Sequence, residues 1–477
     1  MGVDALSSVP GRRTPAALII GLALLAYWNS FSGGFQFDDF KVIVDNPAVV
    51  SLEAWWQSMP GIRPLLKLSY ALNQTWGAVS GDALFGFHVV NLALHIGNAL
   101  LLHAIALHLL ADHPRAAPIA LLIALLFAAH PVNSEAVMLI SGRSMSLMTL
   151  FYLASLLAYL DQRRMLSLAA FAAALATRET AITLPLALML IEHLRAPTQS
   201  LSSSLKRTRE YWLMATLAAA TLLMLPWFRH LAAVSLATRP LVDNLISQSA
   251  AVLYLLKQAM WPFALDADPL LPVFTVWNPF WTLTSLLAIG LLGIALWLWR
   301  SSGPARWIGF GLLWFLLHLT PTNSLLPRLD LANERHLYLA NIGLCLILAH
   351  ALILALPNRP RLRGGLAAVI LLSLVWTTQA RNPVYRNEVT FWQDIANKNP
   401  TSNRAFNNLG LALANAGRPA QAVAAYDQAL RLKPDDFTAR LNRAALCRDS
   451  HAQESQAGEP GATENAIRQG CPLSDSE

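Results

Sequence analysis

Apolar stretches close to bilayer-crossing length recur through roughly the first 380 residues, and no other feature limits the fold as tightly. Ala16–Trp28, Phe87–Leu110, Ile119–Ala129 and Leu337–Leu356 are examples. In hydrocarbon every backbone N–H and C=O needs an internal partner, so a bundle of such segments must be helical. The chain is 55% hydrophobic and only 13% charged, which excludes an ordinary soluble globular fold. The expectation is an all-α polytopic membrane bundle followed by a short helical domain.

Charge gives the sidedness. Arg12 and Arg13 precede the first apolar stretch, Pro15–Asn29. No small-x-small cleavage site follows it and more spans come after, so it reads as a retained anchor. Basic residues then fall in alternate loops: Arg115, Arg163/Arg164, Arg195 with Lys206, Arg207 and Arg209, Arg300/Arg306, and Arg359/Arg361/Arg363. The positive-inside rule puts these loops, and residues 1–14, on the cytoplasmic side. The net charge of +7 is thereby explained without nucleic acid. No basic cluster is interleaved with aromatics as a single-strand groove requires.

Further crossings are expected near Phe87–Ala111, Pro118–Val132, Ser146–Leu160, Leu166–Ala176, Ile182–Leu194 and Tyr211–Phe228. Others fit Phe280–Trp299, Trp307–Leu319, Leu337–Leu356 and Gly364–Thr377. Ile246–Phe263, flanked by polar and Pro-containing segments, reads as an interfacial or re-entrant helix. About eleven crossings result, bounding a membrane domain over residues 15–378. The loop 31–87 and everything after about Gln379 then lie outside, in the periplasm if the membrane is a bacterial inner membrane.

The tail carries one clear repeat. From Asn403 to Asp436, Leu409-Gly410, Gly417, Ala422, Tyr426, Ala429 and Pro434 match the spacing of a tetratricopeptide repeat. Phe391-Trp392 with Pro400 fits the second helix of a preceding half-repeat, and Phe437–Leu446 starts another, so the domain covers 386–446. About three repeats are normally needed for a stable stack, so the tail is expected to dock onto the membrane domain or a partner protein. Residues 449–477 are polar and rich in Glu, Gly, Ser and Gln, and disorder is expected there. Cys345, Cys447 and Cys471 show no metal spacing.

Polar residues gather at the outer ends of these spans. Asp38 and Asp39 follow the first span within Phe35–Phe40, and carboxylates at a membrane mouth are costly to desolvate unless they serve a substrate or ion. Asp45, Asn46, Arg63, His88, Asn91, His95, His130, Glu135, Arg143, Arg178, Glu179, Asn333, Glu334, Arg335 and Tyr338 join them. Arginine can grip a lipid-linked phosphate through two parallel hydrogen bonds. A carboxylate can deprotonate an incoming hydroxyl. Each residue also has a structural reading: Asp38 and Asp39 as a solvated turn, Arg143 as an interface anchor, Arg178-Glu179 and Glu334-Arg335 as packing ion pairs. His88, Asn91 and His95 share a helix face, where hydrogen bonding is commoner than metal ligation.

The ordered set Phe37-Asp38-Asp39, Asn46-Pro47, Arg63-Pro64-Leu65, His88-x-x-Asn91-x-x-x-His95, His130-Pro131 with Glu135, and Ser141-Gly142-Arg143 continues downstream. Thr177-Arg178-Glu179-Thr180, Leu184-Pro185, Glu334-Arg335-x-x-Tyr338 and Arg381-Asn382 complete it. The chain resembles the transmembrane and tetratricopeptide-repeat containing O-mannosyltransferases and their bacterial relatives, integral-membrane glycosyltransferases of the GT-C structural class. The resemblance covers nearly all of residues 14–446. It implies transfer of mannose or a similar hexose from a polyprenyl-phosphate donor to an acceptor hydroxyl outside the membrane, on Ser or Thr of a protein. The same chemistry on a lipid or envelope glycan is the alternative, and a non-catalytic scaffold for envelope or pilus assembly is a rival of another class.

By the resemblance, Asp38 and Asp39 match the essential acid of the first outer loop, and one of them would act as the base or position the acceptor hydroxyl. Arg143, Arg178 and Arg335 would bind the donor phosphate. His88, Asn91, His130, Glu135, Glu179, Glu334 and Tyr338 would support them. No metal ligands and no cofactor are expected, since the lipid-linked sugar is a substrate. Arg178 stands where lysine is as common, and the repeat array is far shorter than in animal members.

Overall fold

The computed structural model describes residues 13–59, 61–80, 83–323, 325–328 and 330–457. Their regular structure is all helical, with no strand among the described residues. They form two compact units, Met1–Leu265 with Leu271–Asn382, and Asp266–Leu270 with Pro383–Glu477.

The larger unit opens with α1 (Arg13–Tyr27), α2 (Leu52–Gln57), α3 (Pro64–Ser80), α4 (Ala83–Leu109), α5 (Ala116–Ala129), α6 (Ser134–Met138) and α7 (Arg143–Leu160). It continues with α8 (Arg164–Thr177), α9 (Leu184–Arg195), α10 (Leu201–Arg207), α11 (Arg209–Met224), α12 (Pro226–Thr238) and α13 (Leu241–Met260). It closes with α14 (Pro279–Arg300), α15 (Pro304–Leu319), α16 (Leu337–Ala355) and α17 (Pro360–Arg381). The expected first outer loop is therefore no open excursion, since α2 and α3 fold within it.

Among the described residues, six helical segments are long and apolar enough to cross a membrane: those containing α1, α4, α7, α14, α16 and α17. Two broken pairs raise the number to eight if each is one span: α5 with Pro131–Met138, bent by 52°, and α11 with α12, bent by 83°. Pro131 and Pro226 sit at these breaks, where a missing N–H and a fixed φ interrupt the helix. At 14, 12 and 16 residues, α8, α9 and α15 fall short of the roughly 20 that a crossing needs, so the expected eleven are not all met by length. The segment expected at the interface is α13. Its Ala251, Leu255 and Ala259 join a core cluster with Phe315 of α15 and Leu337, Ala340 and Leu344 of α16.

Small polar side chains tie the helices where a hydrophobic drive is weak. Ser155 of α7 donates to the Ser167 carbonyl of α8 at 2.8 Å, and Ser167 returns a hydrogen bond to the Ser155 carbonyl at 2.7 Å.

The smaller unit contains α18 (Glu388–Lys398), α19 (Asn403–Asn415), α20 (Pro419–Leu432) and α21 (Phe437–Ala457). Asn387 and Thr390 form a reciprocal capping box on α18, and Ser402 caps α19. The repeat spacing has a steric cause: a Cβ at Gly410 would lie 2.6 Å from the Tyr426 ring. Residues 266–270, expected in the membrane domain, belong to this unit. Asn399 donates to Asp266 Oδ2 at 2.7 Å and to the Asp268 carbonyl at 3.2 Å. The helix α21 runs to Ala457, past residue 449 where composition suggested disorder. The rest of that tail, 458–477 with Cys471, lies outside the described residues, as does the start of the expected cytoplasmic N-terminus, residues 1–12.

Candidate active site

The two adjacent aspartates point to different tasks. Phe37, just before them, has φ +46°, a left-handed conformation that costs a non-glycine residue about 1 kcal/mol or more. Past this kink Asp39 is fully buried. Its Oδ1 accepts from the Ser141 N–H at 2.7 Å and its Oδ2 from the Gln36 N–H at 3.0 Å. Burial outweighs these donors and pushes the Asp39 carboxyl up to about 6. Asp38 instead keeps 41% of its side chain exposed and accepts from Arg335 Nη1 at 2.9 Å. A half-open carboxylate and a buried backbone clamp are thus neighbours in sequence with separate partners.

The segment that receives Asp39 is the tight passage from α6 to α7. A Cβ at Gly142 would lie 2.6 Å from the Glu135 carbonyl oxygen and 2.9 Å from that of Leu139, so only glycine fits. Arg143 follows, fully buried. Its Nε donates to Asn91 Oδ1 at 2.8 Å, its Nη1 to Asn73 Oδ1 at 2.6 Å and to the Ser69 carbonyl at 3.1 Å. Its Nη2 donates to the Phe87 carbonyl at 3.0 Å, and the guanidinium lies over the Tyr70 and Phe87 rings. Arg143 was expected on the donor phosphate. Its donors are engaged within the protein on every nitrogen, so it serves as a hub joining α3, α4 and α7.

Arg178 is also buried but bonded very differently. Its Nη1 donates to Ser144 Oγ at 2.6 Å, while its Nε is buried with no hydrogen bond. Burial and the nearby charges of Arg63, Arg335 and Arg328 bring its guanidinium down to about 9, against a smaller opposing pull from Glu179. Glu179 itself is gripped by Arg63, with Nε to Oε2 at 3.0 Å and Nη2 to Oε1 at 2.5 Å. Burial would raise that carboxyl, yet Arg63 and Arg178 hold it down to about 2. Arg63 adopts φ +52°, a second left-handed residue beside the site.

The third arginine anchors the other wall. Arg335 donates its backbone N–H to Glu135 Oε2 at 2.8 Å and Nε to Asn333 Oδ1 at 2.9 Å. Its Nε also lies 3.2 Å from Glu135 Oε1. Glu334 turns away to Arg381, whose Nη2 reaches its Oε1 at 3.2 Å and its Oε2 at 3.3 Å. Asp38, Glu135, Arg335, Arg178, Glu179 and Arg63 therefore form one charged cluster drawn from five places in sequence.

The remaining expected residues shape this cluster from behind. Asn91 Nδ2 donates to the carbonyls of Val137 and Leu139 at 3.3 and 3.1 Å. His88 Nε2 meets the Gly33 carbonyl at 2.9 Å, and His130 Nε2 meets that of Ala259 at 3.1 Å. Tyr338 Oη meets His95 Nδ1 at 2.8 Å and accepts from Asn98 at 3.1 Å. Among the described residues no group of three or more His, Cys, Asp or Glu side chains is placed to hold a metal ion.

Sequence reasoning noted Arg63 and Ser141 within motifs without giving either a role and passed over Arg328 and Ser144. Arg63-Pro64 just before a helix was the available signal for the first. Nothing local marks Arg328, whose relevance lies in its charge acting on Arg178 and Arg335 across the fold.

The tetratricopeptide repeat family matches residues 404–436. Over most of its length the chain is homologous to proteins named as O-mannosyltransferases. It is 26% identical to protein O-mannosyl-transferase Tmtc3 of Drosophila melanogaster over 92% of this chain and 57% of that one. The mouse protein O-mannosyl-transferase TMTC3 is 26% identical over 89% of this chain and 52% of its own. A shorter match, 34% identical, covers 36% of this chain and 21% of Drosophila protein O-mannosyl-transferase Tmtc2. The chain thus spans about half the length of the curated relatives it matches along its length. No solved structure matches it.

Proposed function

We propose that this protein is a membrane glycosyltransferase that moves mannose or a similar hexose from a polyprenyl-phosphate donor to a Ser or Thr hydroxyl of an acceptor protein. The observation that carries this reading is a half-open carboxylate, Asp38, held 2.9 Å from Arg335, with the under-bonded buried guanidinium of Arg178 in the same charged cluster. Homology to protein O-mannosyl-transferases favours mannose and a protein acceptor. Reaction at the outer face, with the repeat unit on that side, follows the charge asymmetry of the loops.

The step is a single inverting displacement. Asp38 takes the proton of the acceptor hydroxyl, whose oxygen bonds to the anomeric carbon as the bond from that carbon to the phosphate oxygen breaks. The electron pair leaves with polyprenyl phosphate, and Arg178 stabilises the charge that builds there. Phosphate is already a competent leaving group, so positioning and electrostatic stabilisation supply most of the acceleration. Asp39 takes no part in the transfer; it holds Ser141 and with it the turn into α7. The repeat unit presents the acceptor.

The test is label transfer from radiolabelled polyprenyl-phosphate mannose in membranes carrying wild type or Asp38→Asn at equal expression. Label entering the protein fraction and lost in Asp38→Asn supports the reading. Label entering a lipid or glycan fraction would overturn the acceptor. Equal transfer by Asp38→Asn would overturn the base, and no transfer from any lipid-linked sugar would leave the scaffold reading.

A further inference from the structure

His336 stands next to Arg335 and leaves both of its ring nitrogens unbonded. It closes the 3-10 turn Glu334–His336 at the mouth of α16 and is only 3% exposed. Its neighbours in that turn are pinned. The Arg335 backbone N–H donates to Glu135, the Arg335 side chain reaches Asp38 and Asn333, and Glu334 pairs with Arg381. The backbone N–H of His336 donates to the Asn333 carbonyl at 3.1 Å. The imidazole is therefore held from its own backbone, yet neither Nδ1 nor Nε2 has a hydrogen-bond partner among the described residues. Buried polar atoms left unbonded destabilise a fold, so a side chain of this kind calls for a partner that arrives from outside.

The surroundings limit what that partner can be. Arg328, Arg335 and Arg178 lie close enough for their charges to act on the ring. A further positive charge is disfavoured among them, so the imidazole presents one N–H donor and one bare nitrogen that accepts. The same charges repel a cation. A phosphate diester can take the N–H, but it has no proton for the bare nitrogen. An acceptor Ser or Thr hydroxyl has a single proton, and the proposed transfer gives that proton to Asp38. A hexose carries several hydroxyls, each both donor and acceptor, and so can fill both edges of the ring. The sugar is also joined directly to the phosphate assigned to Arg178, one of the arginines around His336.

We infer that His336 binds hydroxyls of the transferred sugar and so sets which sugar the site accepts. The inference rests on the glycosyl-transfer reading proposed above. The sugar enters past the Asp38–Arg335 pair, and its burial against His336 keeps water from the anomeric carbon, which favours transfer over hydrolysis. A sugar lacking the contacted hydroxyl leaves a nitrogen of His336 bare, which should lower kcat/KM about tenfold.

Transfer by the full-length protein in phospholipid nanodiscs is measured with polyprenyl-phosphate mannose and with analogues that each lack one sugar hydroxyl. Wild type, His336→Phe and His336→Gln are compared. Wild type should lose about tenfold in kcat/KM with the analogue missing the contacted hydroxyl. His336→Phe keeps the bulk of the ring without its nitrogens. It should lose about tenfold with mannose itself and transfer that analogue as well as mannose, with a melting temperature at or above wild type. Comparing the two ratios cancels any change in the sugar's own reactivity. Wild type indifferent to every hydroxyl, or discrimination undiminished in His336→Phe, overturns the inference. If His336→Phe does not fold, His336→Gln decides: its donor and acceptor sit elsewhere, so the hydroxyl preference should shift, and an unchanged preference overturns the inference. Equilibrium binding of the labelled donor, competed by the same analogues, keeps the two proposals apart. Transfer without hydroxyl discrimination removes only the role of His336. Discrimination in binding that His336→Phe loses, without transfer from any sugar donor, removes the transferase reading and leaves a sugar-binding site.

Discussion

Asp38 and Arg335 lie 297 residues apart in sequence and meet at 2.9 Å. The same guanidinium leans on Glu135 and Asn333, so the outer-loop carboxylate is fixed to the mouth of α16. This pairing separates the tasks of the two neighbouring aspartates.

Asp38→Asn should abolish transfer while leaving the melting temperature within a few degrees of wild type, because its partner Arg335 retains Glu135. Asp39→Asn should do the reverse. Its amide cannot accept both the Ser141 and Gln36 N–H groups, and a buried donor left unmade costs about 1–3 kcal/mol. Thermal unfolding by tryptophan fluorescence, run beside the transfer assay, separates the two. Loss of stability in Asp38→Asn and loss of activity alone in Asp39→Asn would exchange the assignments.

The arginines divide in the same way. Arg143→Lys cannot reach two asparagine side chains and two carbonyls at once, and a buried network missing several bonds should lose on the order of 3 kcal/mol or more. Reduced yield of folded protein is the expected result. Arg178→Lys should fold normally and raise KM for the lipid-linked donor, by roughly tenfold for one lost charged hydrogen bond. A normal melting curve for Arg143→Lys would show that its hub is dispensable.

Arg63 and Glu179 form a two-bond ion pair that is about one-third exposed on each side. Solvent screening keeps its coupling modest, on the order of 1 kcal/mol. A double-mutant cycle with Arg63→Ala and Glu179→Gln on thermal stability checks this, and additive losses would show that the pair contributes nothing.

Two carboxyls bend the pH profile in opposite directions. Glu179 is held down to about 2 from an ordinary 4.5, so its contribution is present above about 4.5 and fades as pH falls toward 2. Asp39 is pushed up to about 6 from 3.8, so its contribution is full below about 3.8 and is lost as pH rises through 6. Wild type should therefore lose stability relative to Asp39→Asn between about pH 4 and 6. Relative to Glu179→Gln it should lose stability only below about pH 4.5. Melting temperatures of the three proteins across pH 3–7.5 check both slopes, and parallel curves would refute them.

Much of the organisation was legible because it is local. Recurring apolar stretches make helices wherever they sit, although the expected crossings Pro118–Val132 and Tyr211–Phe228 run across the breaks at Pro131 and Pro226. The Gly410–Tyr426 contact is encoded by spacing within one repeat. Element length was harder to read, since α8, α9 and α15 are shorter than a crossing, and α13 shows its packing face only once α15 and α16 are in place.

The sequence by itself determined an all-helical, membrane-type bundle with a repeat after it, and the set of charged residues from which a site is built. Local composition and periodicity carry that much. Only the tertiary structure decided the partners. Asp38 faces Arg335 and Asp39 faces Ser141, Arg143 is enclosed by Asn73 and Asn91, and Arg178 keeps an unbonded Nε. A charge's role depends on which groups approach it from distant segments and how much water they exclude, and neither is a property of its neighbours along the chain.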